Sequence, residues 1–93
     1  MLQFIQNQTL HSLEVFKVKT VIVKLSKIND VKDLVNAAHL CDYDIDIISG
    51  KYIADAKSIM GIFGLDLNSE LTLQIYSDTC DDFLDQIKNI IVR

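Results

Sequence analysis

Two histidines and two cysteines are the residues of this 93-residue chain best suited to nucleophilic or metal-binding chemistry. His11 lies near the start, whereas His39 stands close to Cys41, Asp42 and Asp44. An imidazole can carry a phosphoryl group or bind a metal ion. These mixed hard and soft ligands cannot all converge on one ion if a helix ends near Cys41. We therefore expect no metal site, and we expect His39 to be a surface or boundary residue of a helix.

The two cysteines, Cys41 and Cys80, lie far apart in the sequence, and each falls on the apolar side of a predicted helix. A thiol in such a position behaves as a small hydrophobic group. The N-terminal residues have neither a basic start nor the continuous apolar stretch of an export signal. We therefore expect free, buried thiols rather than a disulfide.

Ser58 is the third candidate for chemistry, because its hydroxyl stands where a helix is expected to start. A strand at 44–48, a tight turn at Ser49-Gly50 and a returning strand at 51–54 precede it, and a short glycine-punctuated helix follows it. A serine at the N-cap accepts hydrogen bonds from the free amides of the first turn. A phosphate added to this hydroxyl would face the same amides.

Two longer segments carry apolar residues at helical spacing. They are Val31, Leu34, Val35, Ala38 and Cys41 in the first, and Cys80, Phe83, Leu84, Ile87, Ile90 and Ile91 in the second. The first predicts a helix over 30–41 with Asn29 as its N-cap, and the second predicts a helix over 79–91.

Two further segments show the period of two that is expected of strands with one buried face. Val21, Val23 and Leu25 alternate with more polar residues in the first, and Leu71, Leu73 and Ile75 do so in the second. The order of elements is then strand, helix, strand, strand, short helix, strand, helix. This order predicts an α+β open-faced sandwich, with the helices on one face of the sheet.

The apolar phase switches near Lys19-Thr20, where the buried side moves from even to odd positions. Before the switch, Leu13, Val15, Phe16 and Val18 suggest another extended piece. We interpret residues 1–19 as an N-terminal extension. This extension pairs with a sheet edge, docks elsewhere on the domain, or forms a homodimer by strand exchange. The alternative is that it is partly disordered.

Composition excludes several classes of function. A chain of 93 residues with 49% apolar content, three glycines and no proline predicts one compact domain. The net charge of −4 and nine scattered basic residues argue against a nucleic-acid partner. No apolar run approaches the roughly 20 residues that span a bilayer, so we expect no membrane partner and a cytoplasmic location.

The run Lys57-Ser58-Ile59-Met60-Gly61 after the predicted hairpin resembles HPr, the histidine-containing phosphocarrier protein of the sugar phosphotransferase system. In HPr proteins a Lys-Ser-Ile-Met-Gly run opens the second helix, and its serine is a regulatory phosphorylation site. The resemblance extends from about Val21 to the C-terminus. It implies an HPr-like domain over 20–93, with a four-stranded antiparallel sheet covered on one face by three helices.

The resemblance also shows what the chain lacks. A phosphocarrier needs a nucleophilic imidazole at the start of its first helix, which HPr proteins supply in a Gly-x-His-Ala-Arg-Pro-like run. The matching stretch here is Leu25-Ser26-Lys27-Ile28-Asn29-Asp30, without histidine, arginine, glycine or proline. Lys27 is a candidate for weak anion contact, although a lysine cannot carry a labile phosphoryl group as an imidazole does. We assign no catalytic residue.

The resemblance further implies a regulatory phosphorylation site at Ser58, and a surface around it that partner proteins contact. The residues of this surface are Lys57, Ile59, Met60 and Phe63. Phe63 replaces what is often a methionine in the family, which leaves the identity of the partner open.

These observations predict a non-catalytic regulatory or protein-interaction module without a cofactor, whose partners are proteins such as a serine kinase or a transcriptional regulator. The alternative is an active phosphocarrier with a non-standard acceptor, for which His39 is the only candidate in the matching region. A third interpretation is a structural protein that assembles through residues 1–19, with Ser58 acting only as a helix cap.

Overall fold

The order of helices and strands is the one that the sequence predicts. The computed structural model describes residues 18–93. These residues form β1 (Lys19–Val23), α1 (Ile28–His39), β2 (Ile45–Ser49), β3 (Tyr52–Asp55), α2 (Ile59–Phe63), β4 (Leu71–Ile75) and α3 (Asp81–Gln86), followed by a 3-10 turn (Lys88–Ile90).

The four strands form one antiparallel sheet in the order β1-β4-β2-β3, with the three helices on one face. The predicted α+β open-faced sandwich is therefore confirmed. The alternation of β4 explains why one face is covered: Leu71, Leu73 and Ile75 are fully buried, whereas the residues between them point to the open face.

The core lies between this sheet and the helices. Its helical contributions are Val31, Leu34, Val35, Ala37 and Ala38 from α1, Ile62 from α2 and Phe83 from α3. Among residues 18–93 no polar or charged side chain is buried. The charged groups of the described chain therefore lie at its surface.

Helix α1 begins two residues earlier than the predicted range of 30–41, and it ends at His39. The predicted N-cap was wrong, because Asn29 lies inside the helix and Lys27 occupies the N-cap without a side-chain cap bond. Asp30, in the first turn, instead ties the incoming chain to the helix start, since its Oδ2 accepts from the Ser26 backbone N–H at 2.9 Å. A carboxylate in the first turn also interacts favourably with the helix dipole.

The C-terminal helix is much shorter than the predicted 79–91. It ends at Gln86, and Ile91 has an extended backbone, with φ of −76° and ψ of 129°. The cause is a competing partner: the chain turns back to the outer edge of β1, where Ile91 forms a bridge with Val23. The Val92 N–H donates to the Ile22 carbonyl at 2.7 Å, and the Ile22 N–H donates to the Arg93 carbonyl at 2.8 Å.

The hairpin between β2 and β3 is confirmed, but its turn is shifted by one residue. Ser49 is the last residue of β2 and pairs with Tyr52, so the two-residue loop is Gly50-Lys51. Gly50 has a φ of 61°, which is the conformation of the first loop residue in a type II′ turn. Glycine adopts this conformation without steric cost.

Both cysteines within the described residues are free. Cys80 is buried, as predicted, and burial raises the pKa of its thiol above the ordinary value. The prediction for Cys41 was wrong in part, because this residue follows the end of α1 and is only half-buried. Its Sγ lies 3.4 Å from the Ala37 carbonyl oxygen.

Predictions about residues 1–17, including His11 and the extended piece before β1, lie outside the described residues. Strand β1 begins at Lys19, and Val18 before it is 37% exposed. The division into an extension and a domain stays a prediction. No helix of residues 18–93 is long and apolar enough to cross a membrane.

The closure of the β1 edge can be tested with proline at position 92. Val92→Pro removes the N–H that donates to Ile22, and we expect it to lower the free energy of unfolding by about 1–3 kcal/mol. Val92→Ala keeps this donor at a half-exposed position, and it should cost less than about 0.5 kcal/mol. Urea unfolding of both variants measures the difference. Equal stabilities would contradict a stabilising role of this backbone bond.

Candidate functional site

Ser58 is the N-cap of α2, as the sequence predicts. Its backbone is extended, with φ of −105° and ψ of 103°, and its Oγ accepts from the Gly61 N–H at 3.1 Å. Its own N–H donates to the Asp55 carbonyl at 2.9 Å, which fixes the turn between β3 and α2. The residue is exposed, so the hydroxyl is accessible to another protein.

Gly61 explains how α2 lies so close to this cap and to the sheet. A Cβ at position 61 would lie 3.1 Å from Ser58 Oγ and 3.3 Å from the Cβ of Ala54. Both distances are tighter than ordinary van der Waals contact. The small residues at positions 54 and 61 therefore let the first turn of α2 approach β3, which sets the position of Ser58.

Lys57 is anchored rather than freely solvated. Its N–H donates to Asp55 Oδ1 at 2.9 Å, and its Nζ donates to the Tyr43 carbonyl at 3.3 Å. Its carbonyl oxygen lies 3.0 Å from Nε2 of His39, which gives His39 a partner that the sequence did not reveal. This contact joins the end of α1 to the residue before the Ser58 cap.

The remaining residues of the predicted partner surface differ in exposure. Met60 is 79% exposed and Phe63 is 44% exposed, whereas Ile59 is half-buried and packs against the core. Ile59 thus attaches α2 to the domain, while Met60 and Phe63 offer apolar area to the solvent. Methionine adapts to different partners, and phenylalanine provides a rigid contact area.

The Phe63 end of α2 borders a cavity of about 230 Å³ at the start of α1. Its lining residues are Lys24, Leu25, Ser26, Lys27, Ile28, Val31, Phe63, Leu67 and Asn68. The structure thus brings two predicted site residues, Lys27 and Phe63, to one cavity. It places Ser58 at the other end of α2, where Lys57 contacts the last residue of α1.

Ile28 is an apolar residue of this surface that the sequence reasoning missed. It lines the same cavity as Phe63 and is 59% exposed. The signal was present, because Ile28 precedes Val31 by three residues and so continues the apolar stripe of α1. The predicted start at residue 30 excluded it from the helix.

The start of α1 holds a carboxylate in the position that would otherwise favour an anion. Asp30 Oδ2 accepts from the Ser26 N–H, and its negative charge faces the positive end of the helix. Lys27 is exposed beside it. A phosphate approaching Lys27 would therefore be attracted by one side chain and repelled by its neighbour.

His39 lies at the opposite end of α1 from this cavity. It is the last residue of the helix, eleven positions after Ile28, which places it about 16 Å away along the helix axis. It is exposed, as the sequence predicts. Within residues 18–93, no three histidine, cysteine or acidic side chains lie close enough together to hold a metal ion.

Two solved structures are similar to this chain. A phosphocarrier protein HPr from Bacillus anthracis str. Ames superposes with a TM-score of 0.61 at 21% identity, over 78% of this chain and 96% of that protein. The histidine-containing phosphocarrier protein of Mycoplasma superposes with a TM-score of 0.59 at 21% identity, over 77% and 88%.

The fold is that of HPr. No protein-family model matches the sequence, and no curated protein matches it. At this level of identity the similarity establishes the HPr fold alone, and the function of the chain must be argued from its own residues.

Substitutions at Ser58 test its role as a cap. Ser58→Ala removes the acceptor for the Gly61 N–H, so we expect the free energy of unfolding to fall by about 0.5–2 kcal/mol. Ser58→Asp provides a carboxylate acceptor at the same position and should retain most of the stability. Thermal and urea unfolding compare the two variants. A loss as large for Ser58→Asp as for Ser58→Ala would contradict the capping role.

Proposed function

We propose that this protein is a non-catalytic regulatory or protein-interaction module built on the HPr fold. Its interaction surface consists of Ile28, Met60 and Phe63, and Ser58 is a phosphorylation site beside that surface. It acts in the cytoplasm on protein partners, such as a serine kinase or a transcriptional regulator. It binds no cofactor and no nucleic acid.

The observation that carries the proposal is the composition of the start of α1. Residues 24–31 contain no histidine, and the first turn contains a carboxylate. Phosphoryl transfer of the HPr kind needs an imidazole that can be phosphorylated and a neighbourhood that stabilises the transferred charge. Asp30 opposes that charge, which argues against a carrier function at this end of the helix.

The exposed apolar side chains support the proposal that a protein partner binds at this surface. Ile28, Met60 and Phe63 are large and well exposed, and two of them border the same cavity. Apolar groups that meet on a surface are candidates for contact with another protein. The nearby Lys27 would favour a partner with an acidic group at the edge of this contact.

The geometry of Ser58 supports its modification. The hydroxyl is exposed, and the Gly61 N–H that it accepts from can also donate to a phosphate oxygen. Phosphorylation would therefore preserve the cap and add charge close to Met60. The same apolar surface would then present a different electrostatic environment to a partner.

Exposure of the protein to an HPr serine kinase and ATP tests this proposal directly. We expect one phosphate, mapped by mass spectrometry to Ser58, and none on Ser58→Ala. Ser69→Ala removes another exposed serine hydroxyl and should leave the phosphorylation unchanged. An unmodified protein, or a phosphate that persists on Ser58→Ala, would remove Ser58 as the regulatory site.

The rival function is phosphate transfer by His39, which the exposure of its imidazole favours. Incubation with phosphoenolpyruvate and the general phosphotransfer enzyme should leave the protein unphosphorylated under our proposal, because His39 lies far from the start of α1. An acid-labile phosphate that disappears in His39→Gln would establish the carrier function instead. Glutamine retains a side-chain donor for the Lys57 carbonyl, so this variant tests the acceptor while preserving the contact.

A further inference from the structure

The two outer edges of the sheet differ within the described residues. The edge of β1 is covered by residues 90–93, whose backbone groups exchange hydrogen bonds with Ile22 and Lys24. The edge formed by β3 pairs with no other segment of residues 18–93. An edge strand presents unpaired backbone donors and acceptors to any chain that can align with it.

The hydrogen-bond phase of the hairpin shows which groups of β3 point outward. The Ala56 N–H donates to the Ile45 carbonyl, and Ser49 pairs with Tyr52 beside the two-residue loop. Bonded pairs therefore alternate along the hairpin, and Ile53 lies in a pair without hydrogen bonds. Its N–H and C=O consequently point away from β2, toward the open edge.

The side chains at this edge are unusual for a surface. Ile53 is 65% exposed and Tyr52 is 64% exposed. Asp55 stands directly opposite Asp46 of β2, and like charges in this arrangement are destabilising. Lys51, immediately before β3, carries the opposite charge. The order Lys51, Ile53, Asp55 therefore has a positive end, an apolar centre and a negative end.

We propose that the β3 edge binds a second copy of this chain, antiparallel, with a two-fold axis at Ile53. The Ile53 N–H of each copy donates to the Ile53 carbonyl of the other, and the two isoleucine side chains meet on the open face. Lys51 of each copy then stands opposite Asp55 of the other, which places a positive charge beside the Asp46–Asp55 pair. On the opposite face, Tyr52 stands opposite the small Ala54.

The sequence selects this register over its neighbours. Moving the axis to position 52 pairs Lys51 with Ile53, and moving it to position 54 pairs Asp55 with Ile53. Each shift separates the opposite charges and places a charged residue against an apolar one. Only the Ile53-centred register matches charge with charge and apolar with apolar over residues 51–55, which are β3 and the loop residue before it.

This self-complementarity argues for a second copy rather than an unrelated chain, because the same five residues supply both sides of the contact. The inference is independent of the proposed function, since it uses neither Ser58 nor the surface formed by Ile28, Met60 and Phe63. Dimerisation would extend the sheet from four strands to eight, with all the helices on the same side.

The full-length protein tests the proposal through charge reversal. Lys51→Glu makes every contact between positions 51 and 55 of the dimer repulsive, and Asp55→Lys does the same with positive charge. A mixture of the two variants restores both opposite-charge contacts. In the mixed dimer the introduced glutamate faces the introduced lysine, and the native Asp55 of one copy faces the native Lys51 of the other. Lys32→Glu is the matched control, since it changes the charge equally at an exposed position of α1.

Sedimentation equilibrium from micromolar to millimolar concentration measures the association. We expect the wild type and Lys32→Glu to dimerise alike, each reversal to weaken dimerisation about tenfold or more, and the mixture to recover it. Because Asp55 also accepts from the Lys57 N–H, Ile53→Lys provides a second disruption that keeps this bond. A wild type that stays monomeric, or a dimer that Lys51→Glu and Ile53→Lys leave unchanged, would overturn the proposal.

Amide hydrogen exchange of Ile53 identifies the occupant of the edge. Under the proposal, this amide becomes slower to exchange as the protein concentration rises, and Lys51→Glu reverses the effect. An Ile53 amide that is protected equally at all concentrations would mean that a segment of the same chain, such as residues 1–17, occupies the edge. That result would also overturn the proposal.

Discussion

The central position of β4 is the constraint on which the rest of the structure depends. This strand lies between β1 and β2, and its three inward side chains are completely buried. β4 therefore pairs on both sides with strands that are distant in the sequence. β1 precedes β4 by about fifty residues, and β2 precedes it by about twenty-five. All three helices must cover the same face, because only that face of β4 is apolar. The first and second strands can align only through β4, so its register sets theirs.

The short helix α2 shows how this frame positions the candidate site. Its place is determined by close contact with Ala54 at Gly61, by the buried Ile62, and by the Ser58 cap. The His39 contact with the Lys57 carbonyl links the same region to the end of α1. Ser58 and Met60 are thus exposed at a junction between sheet and helices that several contacts hold in place. A modification at this junction would act on a surface whose shape is already defined.

Periodicity predicted the interior well and the ends of elements poorly. Leu71, Leu73 and Ile75 could be assigned to a buried face because alternation depends only on neighbouring residues. The end of α3 could not, because the apolar spacing continues through Ile90 and Ile91 while their actual partner is β1, almost seventy residues earlier. Asp30 presented a related difficulty. Its side chain accepts from the Ser26 N–H before the helix, a contact that the sequence pattern does not show, whereas the short side chain of Asn29 made that residue the apparent cap.

The resemblance at Lys57-Ser58-Ile59-Met60-Gly61 located the Ser58 cap correctly, because this local sequence carries its own capping and packing requirements. It could not show that Lys57 is tied to Tyr43 and His39, since those contacts join residues separated by 14 and 18 positions. Ile28 was missed because the predicted helix begins at residue 30, two residues after its actual start. The prediction of the exposed surface therefore depended more on exact helix and strand boundaries than the prediction of the core did.

The pairing of residues 90–93 with β1 has a consequence for biosynthesis. A ribosome releases β1 long before the residues that pair with either of its sides, because β4 and residues 90–93 come about fifty or more residues later in the chain. During translation, the two backbone edges of β1 and its apolar side chains, Val21 and Val23, therefore remain uncovered until those residues are made. The hairpin of β2 and β3 and the neighbouring helix α2 can assemble earlier, since their contacts are local. Among the described strands, β1 is consequently exposed to intermolecular strand pairing for the longest time, and that risk ends only after residues 90–93 have emerged.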